Sequence, residues 1–263
     1  MKKYVYILKS ELLSNFQYLS NIVIGSIGYL IHIFVFMNLW LYLYEDETKL
    51  INGYSLNQMI WYVIVTEIIW SAVGSRKLCK KISDDVKNGN IAYNLNKPYD
   101  YIGYALFNHL GQAIIKLFIF ILIGTSLGLL FLNSFPNISF ISIVVSLISI
   151  ILAIVINSLI VIAIGLFSFK LEDSSPFHWL YSKMILVLGT LFPIEFFPKI
   201  MQPFVKFSPV FVVSYGPAKL FVDFSYQKTL EVLLIQLVYV VIAYIFCFLI
   251  YRKGVKNLNV NGG

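Results

Sequence analysis

Long apolar runs separated by short polar connections dominate this sequence and restrict what it can fold into. At a rise of about 1.5 Å per residue, a helix of roughly 20 apolar residues crosses the ~30 Å hydrocarbon core of a membrane. Charged residues make up only 13% of the chain, against about 25% in soluble domains. We therefore predict an all-α polytopic membrane protein with one transmembrane domain over residues 1–263. The six predicted spans cover about 21–44, 56–75, 102–132, 138–169, 177–191 and 229–251.

The distribution of basic residues predicts how these spans are oriented. With an even number of spans, fourteen of the twenty Lys and Arg residues fall on one side, five on the other and Lys116 within a span. Because cytoplasmic loops are enriched in Lys and Arg, both termini are expected in the cytoplasm. Residues 1–20 are expected to form an amphipathic helix on the inner surface, and the acidic segment 45–47 an outer loop.

The sequence excludes several kinds of chemistry. It contains no Gly-Lys pair, so it cannot form the phosphate-binding loop G-x-x-x-x-G-K-[ST]. Its two cysteines, Cys79 and Cys247, have no metal-binding spacing and predict no disulfide framework. The basic residues collect at span ends, which favours membrane lipids and not nucleic acid as their partner. We expect no catalytic residue, metal or cofactor in this chain, so energy for transport would come from an ion gradient or a partner ATPase.

A polar segment of 25 residues, from Arg76 to Asp100, separates the second and third predicted spans. Within it, Leu78, Ile82 and Val86 recur every four residues and share one helical face. The sequence Asn-Gly-Asn at residues 88–90 is expected to end this helix, because Gly and Asn readily adopt the left-handed cap conformation. The alternative is a solvated loop whose lysines only set the topology.

Three ionisable residues inside the apolar runs are candidates for the translocation path. Placing a charged group in lipid costs free energy, so a function is expected for His32, Glu67 and Lys116. His32 can equally be a neutral imidazole hydrogen-bonded between helices. Lys116 can pair with Glu67 across a helix interface, or extend its ammonium group to the inner surface.

Five of the eight prolines lie between Pro193 and Pro217. Each proline removes a backbone donor and clashes with the preceding helical turn, so a regular helix through this region is not expected. Irregular backbone at membrane depth must be covered by protein or face water. We therefore predict a re-entrant outer hairpin over 192–220, with Pro193, Glu195 and Pro198 forming a lid at its turn. An irregular surface loop is the alternative.

Two segments resemble the permease subunits of ABC transporters of the second type, a bacterial exporter-like group. The first is Ile82–Ile91 followed by Leu95–Pro98, similar to the family's Gly-x-Ile and Lys-Pro loop between spans two and three. The second is Phe192–Pro198 with Pro209, similar to the proline-rich region before the last span. The sequence departs from the family at Asn94–Asn96, which is more polar than the leucine-rich run often found there.

The resemblance implies a half-transporter that pairs with a second copy or a homologous permease. Each half would dock on a separate ABC ATPase subunit, which would bind ATP and Mg²⁺. The helix after the second span would be the coupling helix, with an apolar ridge and a charged rim in a groove of the ATPase. The residues expected in this contact are Leu78, Ile82, Asp84, Asp85, Val86, Asn88 and Gly89, followed by the loop turn at Lys97 and Pro98.

The sequence thus favours an export permease in a bacterial plasma membrane that moves a lipid, peptide or amphiphilic solute. A gradient-driven carrier or channel is one alternative, and it would transport without ATP. A membrane anchor or sensor without transport is another.

Overall fold

The computed structural model describes residues 2–17, 19–44, 48–136, 138–171 and 173–256. The described part is built from helices, so the expected all-α class is confirmed. The acidic segment 45–47 lies outside the described residues. The α-helices are α1 (Lys2–Phe16), α2 (Leu19–Gly25), α3 (Ile27–Leu43), α4 (Leu56–Val73), α5 (Ser75–Lys87), α6 (Asn90–Leu95), α7 (Tyr101–Leu132), α8 (Phe140–Leu166), α9 (Ser175–Ile185), α10 (Gln202–Lys206), α11 (Gly216–Val222) and α12 (Tyr226–Lys256).

Among the described residues, five helical stretches are long and apolar enough to cross a membrane. They are Ile22–Leu43, Leu56–Lys87, Tyr101–Leu132, Phe140–Phe169 and Tyr226–Lys256. The run predicted at 177–191 forms a shorter element instead, in which α9 continues into the π-helical turn Leu186–Leu191. The proline-rich region after it contains only short pieces, including the apolar helix Phe211–Val222.

Helix α4 forms the centre of the packing. It is buried on nearly all sides by α3, α7, α8 and α11. Two glycines of α7 allow the closest approach: a Cβ added to Gly128 would lie 2.6 Å from the Trp61 ring, and one added to Gly124 would lie 3.0 Å from Ile64. The helix begins at Ser55, whose side chain and that of Gln58 cap each other's backbone amides.

Helix α1 packs lengthwise along the first half of α7. The ring of Tyr4 stacks on Phe107 with centroids 5.3 Å apart, and a Cβ on Gly103 would lie 2.8 Å from that tyrosine ring. Further along, Leu8 and Glu11 leave room only for a glycine at position 111. The helix expected over 1–20 thus appears over Lys2–Phe16, and its placement on the inner membrane surface stays a prediction.

Helices α3 and α12 lie at the periphery of the protomer. Only about a fifth of each apolar stretch is buried: 22% for Ile22–Leu43 and 17% for Tyr226–Lys256. Their outward faces are rich in large apolar side chains, such as Phe34 on α3 and Leu234 on α12. In an apolar membrane such faces contact lipid or another helix.

Candidate functional site

Helix α5 is joined to α4 by one residue, Gly74. This glycine has φ of +54°, in the left-handed region that side chains avoid, and it both ends α4 and precedes α5. No loop separates the two helices, so a displacement of α5 is passed directly to α4. The amphipathic helix expected after the second span is therefore present, over Ser75–Lys87.

The apolar side of α5 is buried within the protomer. Leu78, Ile82 and Val86 are 4%, 0% and 7% exposed, and α5 packs along α8. The contact is close, since a Cβ on Gly165 of α8 would lie 2.7 Å from the Cβ of Ile82. This corrects the expectation that these three residues form a ridge exposed to an ATPase. An amphipathic helix buries its apolar stripe, and α8 offers the nearest apolar surface.

Polar contacts add to this packing and fix α5 against three neighbouring helical elements. Each joins a side chain of α5 to a different part of the chain. They are Ser83 with Ser168 (2.6 Å), the hydroxyl of Tyr101 donating to Asp85 (2.8 Å), and Ser75 with His178 (3.0 Å). The helix is therefore a rigid part of the transmembrane domain.

The other side of α5 is exposed and charged. Thirteen residues at about 1.5 Å each give an exposed strip roughly 20 Å long. The helix ends at Asn88, and the following Gly89 has φ of +71°, as the sequence predicts. The exposed residues on this strip are Arg76, Lys77, Lys80, Lys81, Asp84, Lys87, Asn88 and Gly89.

The expected loop turn lies between α6 and α7 and is tied to α1. The ammonium group of Lys3 donates a hydrogen bond to the carbonyl oxygen of Pro98. The ammonium group of Lys97 lies 4.3 Å from the centre of the Tyr93 ring, a cation–π contact. These contacts connect the N-terminal helix with the segment that follows α5.

Two of the candidate path residues meet between α3 and α4. Glu67 is fully buried, and its Oε2 atom lies 3.6 Å from Nδ1 of His32. Neither carboxylate oxygen of Glu67 has a hydrogen bond in the described part of the chain. The side chain of His32 is 54% exposed and lies on the outside of the protomer. The pair is therefore accessible from one side only, through the histidine.

Lys116 does not join this pair. No ion pair within 4 Å links it to Glu67, although both residues are described. Its Nζ atom instead lies 3.0 Å from the position that a Cβ on Gly74 would occupy. Of the two alternatives for Lys116, pairing with Glu67 is therefore not found, and extension of the ammonium group to the inner surface stays a prediction.

Glu195 lies in a network of polar side chains in the proline-rich region. Its carboxylate accepts hydrogen bonds from the hydroxyls of Tyr54 (2.9 Å) and Tyr215 (2.7 Å) and lies 3.1 Å from Nζ of Lys219. Lys219 is only 8% exposed and also pairs with Asp223 at 3.1 Å. The carboxylate thus has a basic partner in Lys219.

Pro193 and Pro198 flank this carboxylate. Pro193 is buried, Pro198 is exposed, and a 3₁₀ turn, Ile194–Phe196, lies between them. The chain therefore changes direction near Glu195. The partners Tyr54, Tyr215 and Lys219 were not predicted from the sequence, and Tyr54 lies 141 residues before Glu195. The one local signal is the spacing of Lys219 and Asp223, four residues apart on one helical face.

The charge of Glu195 is stabilised in the folded state. Burial raises the pKa of this carboxyl, but the Tyr215 hydroxyl and the Lys219 ammonium outweigh burial, so the pKa lies below its usual value of 4.5. A carboxylate with a lowered folded-state pKa stabilises the protein above its unfolded pKa. That stabilisation is lost as the pH falls through the folded pKa.

We expect Glu195→Gln to lower the free energy of unfolding at pH 7 by about 1–2 kcal/mol, so that the variant unfolds at a lower temperature than the wild type. Hydrogen bonds to a charged group are worth about 1.5–3 kcal/mol, and Glu195 is 32% exposed, which reduces the gain. The difference should shrink below pH 4.5, measured as thermal unfolding midpoints in detergent. Glu231→Gln, at an exposed carboxylate, is the control. A difference that stays constant from pH 7 to pH 3.5 would contradict the assignment.

A further cavity, of about 490 Å³, lies between the end of α8, the start of α9 and the end of α12. Its walls are mostly aromatic and aliphatic, and two lysines lie among them. The aromatic and basic residues that line it are Phe167, Phe169, Phe177, Phe246, Lys170 and Lys253. An apolar cavity with cationic groups suits a molecule that has an apolar body and an anionic or polar end.

The helices and the α4–α5 unit together define a multi-pass membrane protein whose polar groups lie mainly at the ends of its apolar helices. A family model described as ABC-2 family transporter protein matches residues 27–262. The chain therefore belongs to the ABC-2 transporter family, and this membership implies a transport permease that partners with an ABC ATPase subunit. A search of curated proteins found no significant match.

Proposed function

We propose that this chain is the permease half of an ATP-driven exporter in a bacterial plasma membrane. It binds no nucleotide itself, since it lacks a phosphate-binding loop, and ATP and Mg²⁺ bind the ATPase subunit. A second copy or a homologous permease completes the pathway. The observation that carries the proposal is the exposed, charged side of α5, a helix held rigidly on the transmembrane domain.

The charged strip of α5 is the surface proposed to contact the ATPase. Lys80, Asp84 and Lys87 are exposed on it, while the apolar stripe is already satisfied by α8. A mixed-charge strip selects its partner by electrostatic complementarity and contributes to the rate of association. The proposed contact therefore uses the polar side of the coupling helix and includes Asn88 and Gly89 at its end.

Movement of α5 is proposed to transmit the ATPase cycle to the membrane. Because α5 is continuous with α4, packed on α8 and bonded to Tyr101 of α7, it cannot move alone. Nucleotide-driven closure of the ATPases would move these helices as a rigid body. The solute pathway would then open and close between the two permeases.

The proposed topology has six crossings and both termini in the cytoplasm. The short fifth crossing is α9 with the π-helical turn Leu186–Leu191, and the region 192–220 returns on the outer side. Within this region, Glu195 accepts a hydrogen bond from Tyr54, which lies just before α4. This contact would hold the region in place as a lid over the pathway. On this topology α5 and Lys116 lie toward the cytoplasm.

The translocation path is proposed to run along the surface of α3 that faces away from the rest of the protomer. On this surface the His32–Glu67 pair is accessible through His32. A second permease facing α3 would bring two such pairs together across the path. The substrate is proposed to be a lipid, peptide or other amphiphile, because the cavity lined by aromatic rings and two lysines suits such a molecule.

Reconstitution tests this proposal. The permease and its ABC ATPase subunit are placed in vesicles, and movement of a fluorescent phospholipid between leaflets is followed with and without ATP. We expect movement only with ATP and with both proteins present, because this chain has no nucleotide site of its own. An ATPase lacking its phosphate-loop lysine is the control. Movement by the permease alone, driven by an ion gradient, would contradict the proposal and favour a carrier.

A further inference from the structure

A small polar cavity lies beside the corner between α4 and α5, and three lysines converge on it. Its volume is about 80 Å³, several times the roughly 10–15 Å³ that one water molecule requires. Lys77 and Lys81 approach from α5, and Lys116 approaches from α7. We infer that this cavity is a binding site for a phosphate group, supplied by a membrane phospholipid or by free phosphate.

Lys116 is the residue that makes this cavity unusual. It begins in the middle of an apolar helix and extends its ammonium group to the Gly74 corner, 3.0 Å from the position of a Cβ there. A larger residue at position 74 would collide with this ammonium group. The lysine is partly buried, so bulk water screens its charge less than that of an exposed lysine.

The positive charges at the cavity are not neutralised by neighbouring acids. In the described part of the chain, no carboxylate lies within 4.0 Å of the ammonium groups of Lys77, Lys81 or Lys116. Like charges in a partly buried site repel each other more strongly than in water. The cluster therefore favours an anion that several ammonium groups can share.

One carboxylate, that of Glu11, lies at the edge of this arrangement. It accepts hydrogen bonds from the amide groups of Asn108 (2.7 Å) and Gln112 (2.8 Å), both of which line the cavity. The oxygen of Asn108 in turn accepts a hydrogen bond from Lys81 at 2.7 Å. These contacts use the amides to hold α1 against α7 and to position Lys81, while Lys77 and Lys116 also line the cavity.

A phosphate group fits this set of donors. It carries negative charge on several oxygens, so it can accept hydrogen bonds from more than one lysine at once. On the proposed topology the cavity, which lies where α4 ends, is at the cytoplasmic end of the second span, and basic pockets between transmembrane helices bind phospholipid head groups. A bound phosphate would link α7 with the first turns of α5 and stiffen the corner at Gly74.

The test uses the full chain purified in detergent, with thermal unfolding midpoints recorded against the concentration of each probe. The probes are dioleoyl phosphatidylglycerol, dioleoylglycerol, which lacks the phosphate, and inorganic phosphate at constant ionic strength. We expect a phosphate-containing probe to raise the midpoint and dioleoylglycerol to leave it unchanged. Phosphatidylglycerol acting alone identifies a head group as the source, and inorganic phosphate acting equally well identifies free phosphate.

The variants Lys116→Gln and Lys81→Gln should weaken the apparent affinity for the active probe about tenfold each, because each removes a charge-assisted hydrogen bond. Lys81 is exposed, so its variant remains informative if Lys116→Gln does not fold. Lys9→Gln removes an equal charge from the exposed side of α1 and should have no effect.

The inference is overturned if neither phosphate-containing probe raises the midpoint. Equal weakening in Lys9→Gln would also overturn it. The outcome does not depend on the ATPase or on transport.

Discussion

Reversing two charges on the exposed side of α5 is expected to separate the permease from its ATPase. Lys80→Glu with Lys87→Glu should weaken the complex about a hundredfold, since each changed charge pair at an interface is worth roughly 1.4 kcal/mol or more. Both side chains are exposed, so folding should be unaffected. Co-purification of the two subunits and ATP hydrolysis by the mixture measure the effect.

The matched control makes the same two changes on the opposite side of the protein. Lys199→Glu with Lys206→Glu alters the net charge equally at exposed positions in the proline-rich region. This variant should bind the ATPase as the wild type does. If the α5 variant and the control lose the ATPase to the same extent, net charge and not the α5 strip would be the cause.

Ile82→Asp is expected to act by a different route, through folding. Ile82 is 0% exposed and lies against Gly165, so the new carboxylate would be buried without a partner. An uncompensated buried charge destabilises a protein by about 3–5 kcal/mol. The thermal unfolding midpoint of the permease alone should fall steeply, before any ATPase is added.

Lys87→Asp on the same helix is the control for Ile82→Asp, because it introduces the same side chain at an exposed position. It should leave the midpoint of the isolated permease nearly unchanged. A wild-type midpoint in Ile82→Asp, together with lost ATPase binding, would show that Ile82 faces the partner and not α8.

The sequence predicted α5 well because its signals are local. Apolar residues every four positions define one helical face, and Gly89 marks the end of the helix through its left-handed backbone. Periodicity does not say what the apolar face touches. That depends on Gly165, 83 residues after Ile82, which lets α8 approach closely enough to cover the face.

The long apolar helices were also predictable, because crossing a membrane requires length and composition alone. The shorter element at Ser175–Leu191 was less so, since its last part is a π-helical turn and Pro193 follows it closely. The network of Glu195 with Tyr54 and Lys219 could not be predicted from the sequence. Tyr54 lies 141 residues before Glu195, and tyrosines are too common here to single out one.

The destination of Lys116 illustrates a similar limit. Its position in an apolar run predicts that the ammonium group must either pair with an acid or reach a polar boundary. The choice depends on which helix corner lies within the reach of its side chain. The corner at Gly74 does, and only the packed structure shows this.

The most direct test of the central claim is site-specific cross-linking in the assembled transporter. A photo-reactive amino acid is placed at Lys80 or Asp84 on the exposed side of α5, or at exposed Ile200 in the proline-rich region. We expect cross-links to the ATPase from Lys80 and Asp84 and none from Ile200. Absence of cross-links from both α5 positions, in complexes that hydrolyse ATP, would contradict the claim that the charged side of α5 contacts the ATPase.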